Sequence, residues 1–326
     1  MEIVFEDGAT KLTQIVDAFI REINGGVYKL GDFLPSVNQL SAVNNVSRQT
    51  VANAYAELKR RGLVGSIPGK GYFVNGGVNK VLMLLDSYTP FKDVLYNAVA
   101  ANLPKGYTID LLFHHYNLRI FESVINDSIG RYNMYVVMNF NNDRISDTLR
   151  KIDPAKLLIL DWGKYKAENY SYVCQDFDRA LYDCLVSGLP HIKKYRKIVM
   201  YLPDSSFHPR SCTRYFSRFC KQYGIQGEVV NRICKADVRR GTVYLVVPQK
   251  ELIELVKFCR DKKYRLGSDV GLIAYNDTPM YEVIDHGITA ISTDFALMGK
   301  RAAHFIASKQ KIQEIIPTQL ILRGTL

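Results

Sequence analysis

At 326 residues and 47% hydrophobic content, the chain is too long for one typical domain and can fill two ordinary cores. It holds no apolar run near the roughly 18 residues of a membrane-spanning helix, and its first residues, MEIVFEDGATKLTQ, carry acids and no signal-type apolar block; a cytoplasmic protein is expected. A formal charge of +11 admits a polyanionic partner but does not by itself name one.

From Thr10 to Asn24 the apolar residues Leu12, Ile15, Val16, Phe19, Ile20 and Ile23 recur at three- and four-residue steps. This spacing predicts an amphipathic helix ended by Gly25-Gly26. After the turn GVYKLGDFLP, Ser36 and Gln39 form an S-x-x-Q box that opens a short second helix with Val37, Leu40 and Val43, and Asn44-Asn45 breaks it. Ser47 can cap a third helix whose inward stripe is Val51, Ala54, Tyr55 and Leu58 and whose outward face carries Arg48, Gln49, Ala52 and Asn53.

Two helices so close together, the second with a small, polar, basic N-terminal face, make a helix-turn-helix. Its first turn offers free N–H groups to a phosphate, and its polar side chains can reach base edges in a major groove. Leu63–Ser66 and Gly71–Val74 read as two short strands with Gly69-Lys70-Gly71 at their tip, a wing. Between Val37 and Lys70 five basic residues (Arg48, Lys59, Arg60, Arg61, Lys70) face one acid, Glu57; most of the remaining positive excess lies beyond residue 80. A merely solvated helical face is the alternative reading.

The segments GVYKLGDFLPS, VSRQTVANAYAEL and GKGYFV closely resemble the pattern of the GntR family of winged helix-turn-helix regulators across residues 10–75. The resemblance implies DNA contacts by Ser47, Arg48, Gln49 and Thr50, with Asn53 on the same helix, and by Gly69 and Lys70 at the minor groove. It adds Ser36 and the residue two positions on, where the family usually has arginine and this chain has Asn38.

Asn75 to Asn79 reads as a junction, so residues 1–75 are expected to form the DNA-binding domain, 76–80 a linker, and 81–326 a second domain. There the runs VLMLL (81–85), YTIDLLF (107–113), MYVVMNF (134–140), KLLIL (156–160), KIVMYL (197–202), TVYLVV (242–247) and VGLIAY (270–275) alternate with helix-like stretches. Such alternation predicts buried parallel strands with crossover helices: a two-lobed, doubly wound α/β domain binding its ligand at the carboxyl ends of the strands, between the lobes. The six cysteines have no C-x-x-C spacing and read as reduced thiols, and His114-His115 reads as an ordinary loop or strand pair; no metal or cofactor is expected.

The C-terminal stretches SDVGLIAYNDTP, HGITAISTDFALMGKRAAHFIASKQ and IPTQLILRGTL resemble the lactose-repressor family's periplasmic-binding-protein-like effector domain, strongly from Ser268 and weakly from Lys80. Behind a GntR-type winged helix, this architecture is similar to that of arabinose-responsive repressors. The resemblance implies ligand contacts near Thr89 and Phe91, at Asn139, Asp176 and Asn276, and a hinge lined by Thr293 and Phe295. Hydroxyl, amide and carboxylate groups suit sugar hydroxyls, and a phenyl face suits ring C–H groups. Equally, Asp176 and Asn276 could cap helices and Phe91 and Phe295 could be core. The family's clamping arginine would align near Cys212, leaving Arg210 or Arg214 to replace it, and the usual Asn-Asp after the sixth segment has become Pro248-Gln249, leaving Gln249. Two arginines could favour a sugar phosphate or sugar acid, or be surface charges.

The sequence thus predicts a DNA-binding regulator, most simply a repressor of a sugar-utilisation operon. It would be a homodimer on a palindromic operator, answering to a monosaccharide or sugar phosphate, with no membrane partner. It is not read as an enzyme, since no P-loop, G-x-S-x-G or Rossmann glycine motif occurs in context. An enzyme fused to a DNA-binding domain and a ligand-free dimerisation scaffold are the rival readings.

Overall fold

The computed structural model describes residues 1–6, 8–74, 79–140, 145–161 and 169–326. The N-terminal elements are α1 (Lys11–Asn24), α2 (Val37–Asn44), α3 (Arg48–Arg60), β1 (Val64–Ile67) and β2 (Gly71–Val74). Their ends are set by local chemistry. The Thr10 hydroxyl accepts from Thr13 N–H, Ser36 and Gln39 close a reciprocal capping box, and Ser47 accepts from Thr50 N–H. Asn45, at φ 48°, ends α2 in the left-handed conformation that asparagine tolerates.

The inward stripe of α3 is Val51, Ala54, Tyr55 and Leu58, packed with Ile15, Val16 and Phe19 of α1 and Leu40 of α2. Tyr55 is its centre: its ring stacks on Tyr72 of the wing at 4.4 Å, and its hydroxyl donates to the Pro35 carbonyl. The first wing strand starts one residue later than the apolar pattern implies. The turn before α2 also does more than reverse the chain: Leu34 N–H donates to Tyr72 O and Val74 N–H to Asp32 O, adding an edge to the hairpin. Asn44, expected only to break a helix, accepts from Ile3 N–H through Oδ1 and donates to Met1 O through Nδ2, tying the first residues to α2.

The remaining chain alternates strand and helix: β3 (Asn79–Leu85), α4 (Pro90–Asn102), β4 (Tyr107–Phe113), α5 (Leu118–Ser128), β5 (Met134–Met138), β6 (Leu157–Asp161), β7 (Ser171–Gln175), α6 (Arg179–Ser187) and α7 (Leu189–Ile192), then β8 (Lys197–Tyr201), α8 (Cys212–Tyr223), β9 (Gln226–Val230), β10 (Thr242–Val246), α9 (Gln249–Asp261), β11 (Val270–Tyr275), β12 (Thr289–Thr293), α10 (Phe295–Ser308), β13 (Gln313–Ile316) and β14 (Thr318–Ile321). The strand orders are β13-β7-β6-β5-β3-β4 and β14-β12-β11-β10-β8-β9. Of the pairings described in these two sheets, β12 with β14 is antiparallel and the rest are parallel. Most of residues 76–80, expected as a linker, fall outside the described residues, and Asn79 and Lys80 open β3.

Two compact units emerge: Met1–Asp86 with Pro104–Phe140 and Ile145–Leu157, and Ser87–Leu103 with Leu158–Leu326. In the first, His114 is sealed after β4, with its ring edge-on to Phe121 and Nε2 3.3 Å from the Met138 carbonyl. In the second, alternation along β10 sends Val243 and Leu245 to the α6–α8 side and Tyr244 and Val246 to the α9 side, so both faces are buried. Pro317 alone separates β13 from β14, which pair with different sheets. The six cysteines are free, and all but the half-buried Cys234 are buried.

Helices α4 and α10 pack closely because residue 299 is glycine: a Cβ there would lie 2.6 Å from the Leu95 carbonyl oxygen and from Ala98 Cβ. Gly299→Val is therefore expected to destabilise the protein by about 1–3 kcal/mol through overpacking. Urea unfolding reads the effect, and an unchanged midpoint would contradict the close packing.

Candidate DNA-reading face and effector site

The first site is the N-terminal end of α3 together with the wing tip. Ser36, Asn38, Ser47, Arg48, Gln49, Asn53, Gly69 and Lys70 are exposed and Thr50 is half-buried, so the sequence-named set stands at the surface of the domain. The Ser47 hydroxyl lies 2.8 Å from that of Thr50, and the Gln49 amide donates to Asn53 Oδ1 at 2.8 Å, which aligns two amide side chains along one exposed strip of helix. Gly69, at φ +76°, turns the tip and carries Lys70 outward.

Charge on this domain is partitioned. Arg60 and Arg61 both pair with Glu57, at 2.6 and 2.7 Å, and the hydrogen bond from Arg60 chiefly holds that carboxyl down to about 2. Lys59 reaches back to the Ser66 hydroxyl at 2.8 Å. Arg48 and Lys70 have no ion-pair partner among the described residues. Of the five basic residues counted from sequence, these two remain the available phosphate partners.

The second site lies in the second unit, at carboxyl ends of strands. Asp161 ends β6 and is half-buried; Gln175 ends β7 and donates from Nε2 to Asp161 Oδ1; Tyr275 ends β11 and is followed by Asn276, held at φ 64°. Lys92, in the first turn of α4, is 4% exposed, with its ammonium 5.4 Å from the Phe91 ring centroid. Burial pulls Lys92 down to about 8 while Asp161 draws it back up; burial likewise pushes the Asp161 carboxyl up, against the Lys92 charge. The His208 ring meets Tyr275 edge-on at 4.5 Å and Phe177 at 5.2 Å.

Among the described residues, Thr89 Oγ1, His208 Nε2, Tyr275 Oη and Asn276 Oδ1 are buried polar atoms with no hydrogen-bond partner, and Thr278 Oγ1, three residues beyond Tyr275, is a fifth. Sealed groups are ordinarily satisfied, and a concentration of unsatisfied ones calls for a polar occupant.

The sequence-named ligand residues divide. Thr89 and Asn276 supply two of these atoms. Phe91 and Phe295 meet each other at 4.7 Å where α4 and α10 begin. Thr293 donates to Gln175 Oε1 at 2.8 Å, one step from Asp161. Asn139 is buried directly after β5, in the first unit. Asp176 accepts from the N–H groups of Asp178 and Arg179, capping α6. Arg210 pairs with Asp204 at 2.6 Å at the surface, Arg214 is exposed on α8, and Gln249 opens α9 near Tyr281. The sequence reading names none of Lys92, Asp161, Gln175, His208 and Tyr275. The usable signal is the polar residue closing an apolar run, as Asp161 does in LLILD.

Burial alone holds the His208 imidazole down to about 3. In the unfolded chain the ring takes up its proton near 6.5, so the neutral folded form is fully favoured above pH 6.5 and stability is lost as pH falls from there toward 3. The residue as a whole is half-buried, and the expected loss between pH 7 and pH 5 is about 1–2 kcal/mol. Urea unfolding at the two pH values should show it in the wild type and much less in His208→Phe; equal pH dependence in the two would contradict a ring held neutral by the fold.

Comparison with known proteins places both sites in context. Residues 11–74 match the family model for bacterial regulatory proteins of the gntR family, and residues 191–326 the model for a periplasmic binding protein-like domain. The HTH-type transcriptional repressor YtrA of Bacillus subtilis is 34% identical over 58 residues, 18% of this chain and 45% of that protein. The chain spans less than half the length of the curated relatives it matches. Among solved structures, the trehalose repressor from Escherichia coli is 14% identical with a TM-score of 0.62, covering 74% of this chain and 100% of that one. A LacI family transcriptional regulator from Lactobacillus casei with bound glucose is 14% identical with a TM-score of 0.60, covering 76% and 100%. At such identities the likeness is one of fold. The chain therefore joins a helix-turn-helix domain to a two-sheet α/β binding-protein fold. The first is of the GntR type, and the second is the periplasmic-binding-protein-like fold found in LacI-family repressors.

Proposed function

We propose that this protein is a sequence-specific DNA-binding transcriptional regulator, a repressor of sugar-utilisation genes, controlled by a small carbohydrate bound at the strand ends of its C-terminal domain. The observation that carries the effector half is the set of five buried polar atoms, on Thr89, His208, Tyr275, Asn276 and Thr278, that have no partner among the described residues. Hydroxyl, amide, neutral imidazole and carboxylate groups around flat aromatic rings suit a polyol with C–H faces. His208 is held neutral and Arg210 already faces Asp204, so a neutral monosaccharide fits better than a sugar phosphate. The DNA half rests on the Ser47–Asn53 strip of α3 and on the HTH-type repressor that matches this region.

In this reading the protein works in the cytoplasm as a homodimer, each protomer placing α3 in one half of a palindromic operator. The sugar acts by binding one arrangement of the dimer better than the other. It is bound and released unchanged, so consumption of the sugar would point instead to an enzyme.

Thermal unfolding of the full chain against pentoses (arabinose first), deoxyhexoses, hexoses, sugar acids and sugar phosphates tests the effector half. A neutral monosaccharide at about 100 times its Kd should add roughly 2.7 kcal/mol, on the order of 5–10 °C. A shift by phosphorylated sugars alone would overturn the neutral-ligand reading, and a flat panel would favour a ligand-free scaffold.

A further inference from the structure

The charge of this chain does not sit where DNA reading does. Residues 1–74 hold eight Lys and Arg against seven Asp and Glu, whereas residues 188–270 hold eighteen against seven. That difference equals the formal +11 of the whole chain, whose other residues balance.

The topology gathers much of this excess at one end of a sheet. Strands β8, β10 and β11 run parallel and in register, Thr242 opposite both Lys197 and Val270, so the segments entering them lie side by side. Those segments carry Arg196 before β8, Arg239 and Arg240 before β10, and Lys262, Lys263 and Arg265 before β11. They mark the amino end of the sheet, opposite the Tyr275 and Asn276 end. All but the half-buried Lys262 are exposed.

The face is braced. Arg196 N–H donates to Gly241 O at 2.8 Å and Gly241 N–H to Asp269 O at 2.7 Å. Arg240 lies over the Tyr264 ring at 5.1 Å, and Lys262 donates to the Val238 carbonyl at 2.8 Å. Asp269, 3.7 Å from Arg240, and Asp237, near Arg239 and bonded to Cys234 N–H, are the carboxylates set among these cations; Asp261 is held by Lys235 and Asp285 by Arg260. Arg196, Arg239 and Arg265 have no ion-pair partner among the described residues.

We propose that this amino-end face binds the phosphate backbone of duplex DNA without regard to sequence, as a second DNA contact separate from the winged helix. A second copy of the same face is disfavoured by like-charge repulsion, whereas duplex DNA presents a charge about every 1.7 Å. The inference rests on the reading of the chain as a DNA-binding regulator, which makes DNA the polyanion it meets at high local concentration.

Fluorescence anisotropy of the full chain with a random-sequence duplex, titrated across salt, tests it. Three variants are compared with wild type: Arg196→Glu/Arg240→Glu/Arg265→Glu, the same three positions changed to Lys, and Arg48→Ala/Lys70→Ala. The charge-reversed chain should bind about tenfold or more weakly at low salt, with a salt slope shallower by roughly one per lost contact. The Lys variant should keep wild-type behaviour, and the Arg48→Ala/Lys70→Ala chain should retain the share of the slope owed to this face. Wild-type affinity and slope in the charge-reversed chain would overturn the inference, as would charge reversal abolishing binding to phosphatidylserine vesicles while leaving DNA binding intact. Failure of the wild-type chain to bind any duplex at low salt would instead sink the regulator reading.

Discussion

Lys92→Met should cost the folded protein about 1–3 kcal/mol and abolish stabilisation by the effector. Lys92 is 4% exposed and Asp161 half-buried, and each charge offsets part of the other's desolvation. Removing one partner leaves a buried charge uncompensated, whereas removing both charges is far milder. Lys92→Met/Asp161→Asn should therefore recover most of the stability, since asparagine can still accept from Gln175, yet remain unresponsive to sugar. Urea unfolding with and without the stabilising sugar separates the two effects. A double variant as sugar-responsive as wild type would remove Lys92 and Asp161 from the effector site.

The second large effect is expected at the recognition helix. Arg48 and Gln49 are exposed in the first turn of α3, and Arg48 has no competing carboxylate among the described residues. Each well-made base or phosphate contact is worth about 1–3 kcal/mol, so Arg48→Ala/Gln49→Ala should weaken binding to a selected operator roughly 100-fold or more. Neither side chain is in the core, so the unfolding midpoint should hardly move. Alanine at the surface residues Arg60 and Lys257 should change operator affinity little. A filter-binding titration would contradict the assignment if the Arg48→Ala/Gln49→Ala chain bound operator as wild type does.

The winged helix was legible because its determinants are local. Ser36 with Gln39, Ser47 with Thr50, and the Val51–Leu58 stripe each act within one or two helical turns, and they recur in the structure. The α/β alternation was legible because strands buried on both faces read as continuous apolar runs; VGLIAY is β11 to the residue. Ser171–Gln175 escaped because SYVCQ mixes polar and apolar residues, though all five are buried.

The effector cluster was only half legible, for a physical reason. Sequence pointed to the neighbourhood, at Thr89, Phe91, Asp176, Asn276 and Thr293, but which side chain turns inward depends on tertiary contacts. Asp176 turns to the α6 backbone while Gln175, one residue earlier, turns to Asp161. Nothing in TPFKDV says that Lys92 is buried within reach of the charge of Asp161, some seventy residues away. His208 sits in the loop DSSFHPR, where no periodicity operates.

The most direct test of sugar-controlled DNA binding is the affinity of the full chain for its selected operator, measured with and without each sugar that raises its thermal stability. At least one neutral monosaccharide should change that affinity by about 5- to 150-fold, with the effect lost in Lys92→Met/Asp161→Asn. Operator affinity unmoved by any stabilising sugar would mean that the two sites are not coupled, and the account would fail.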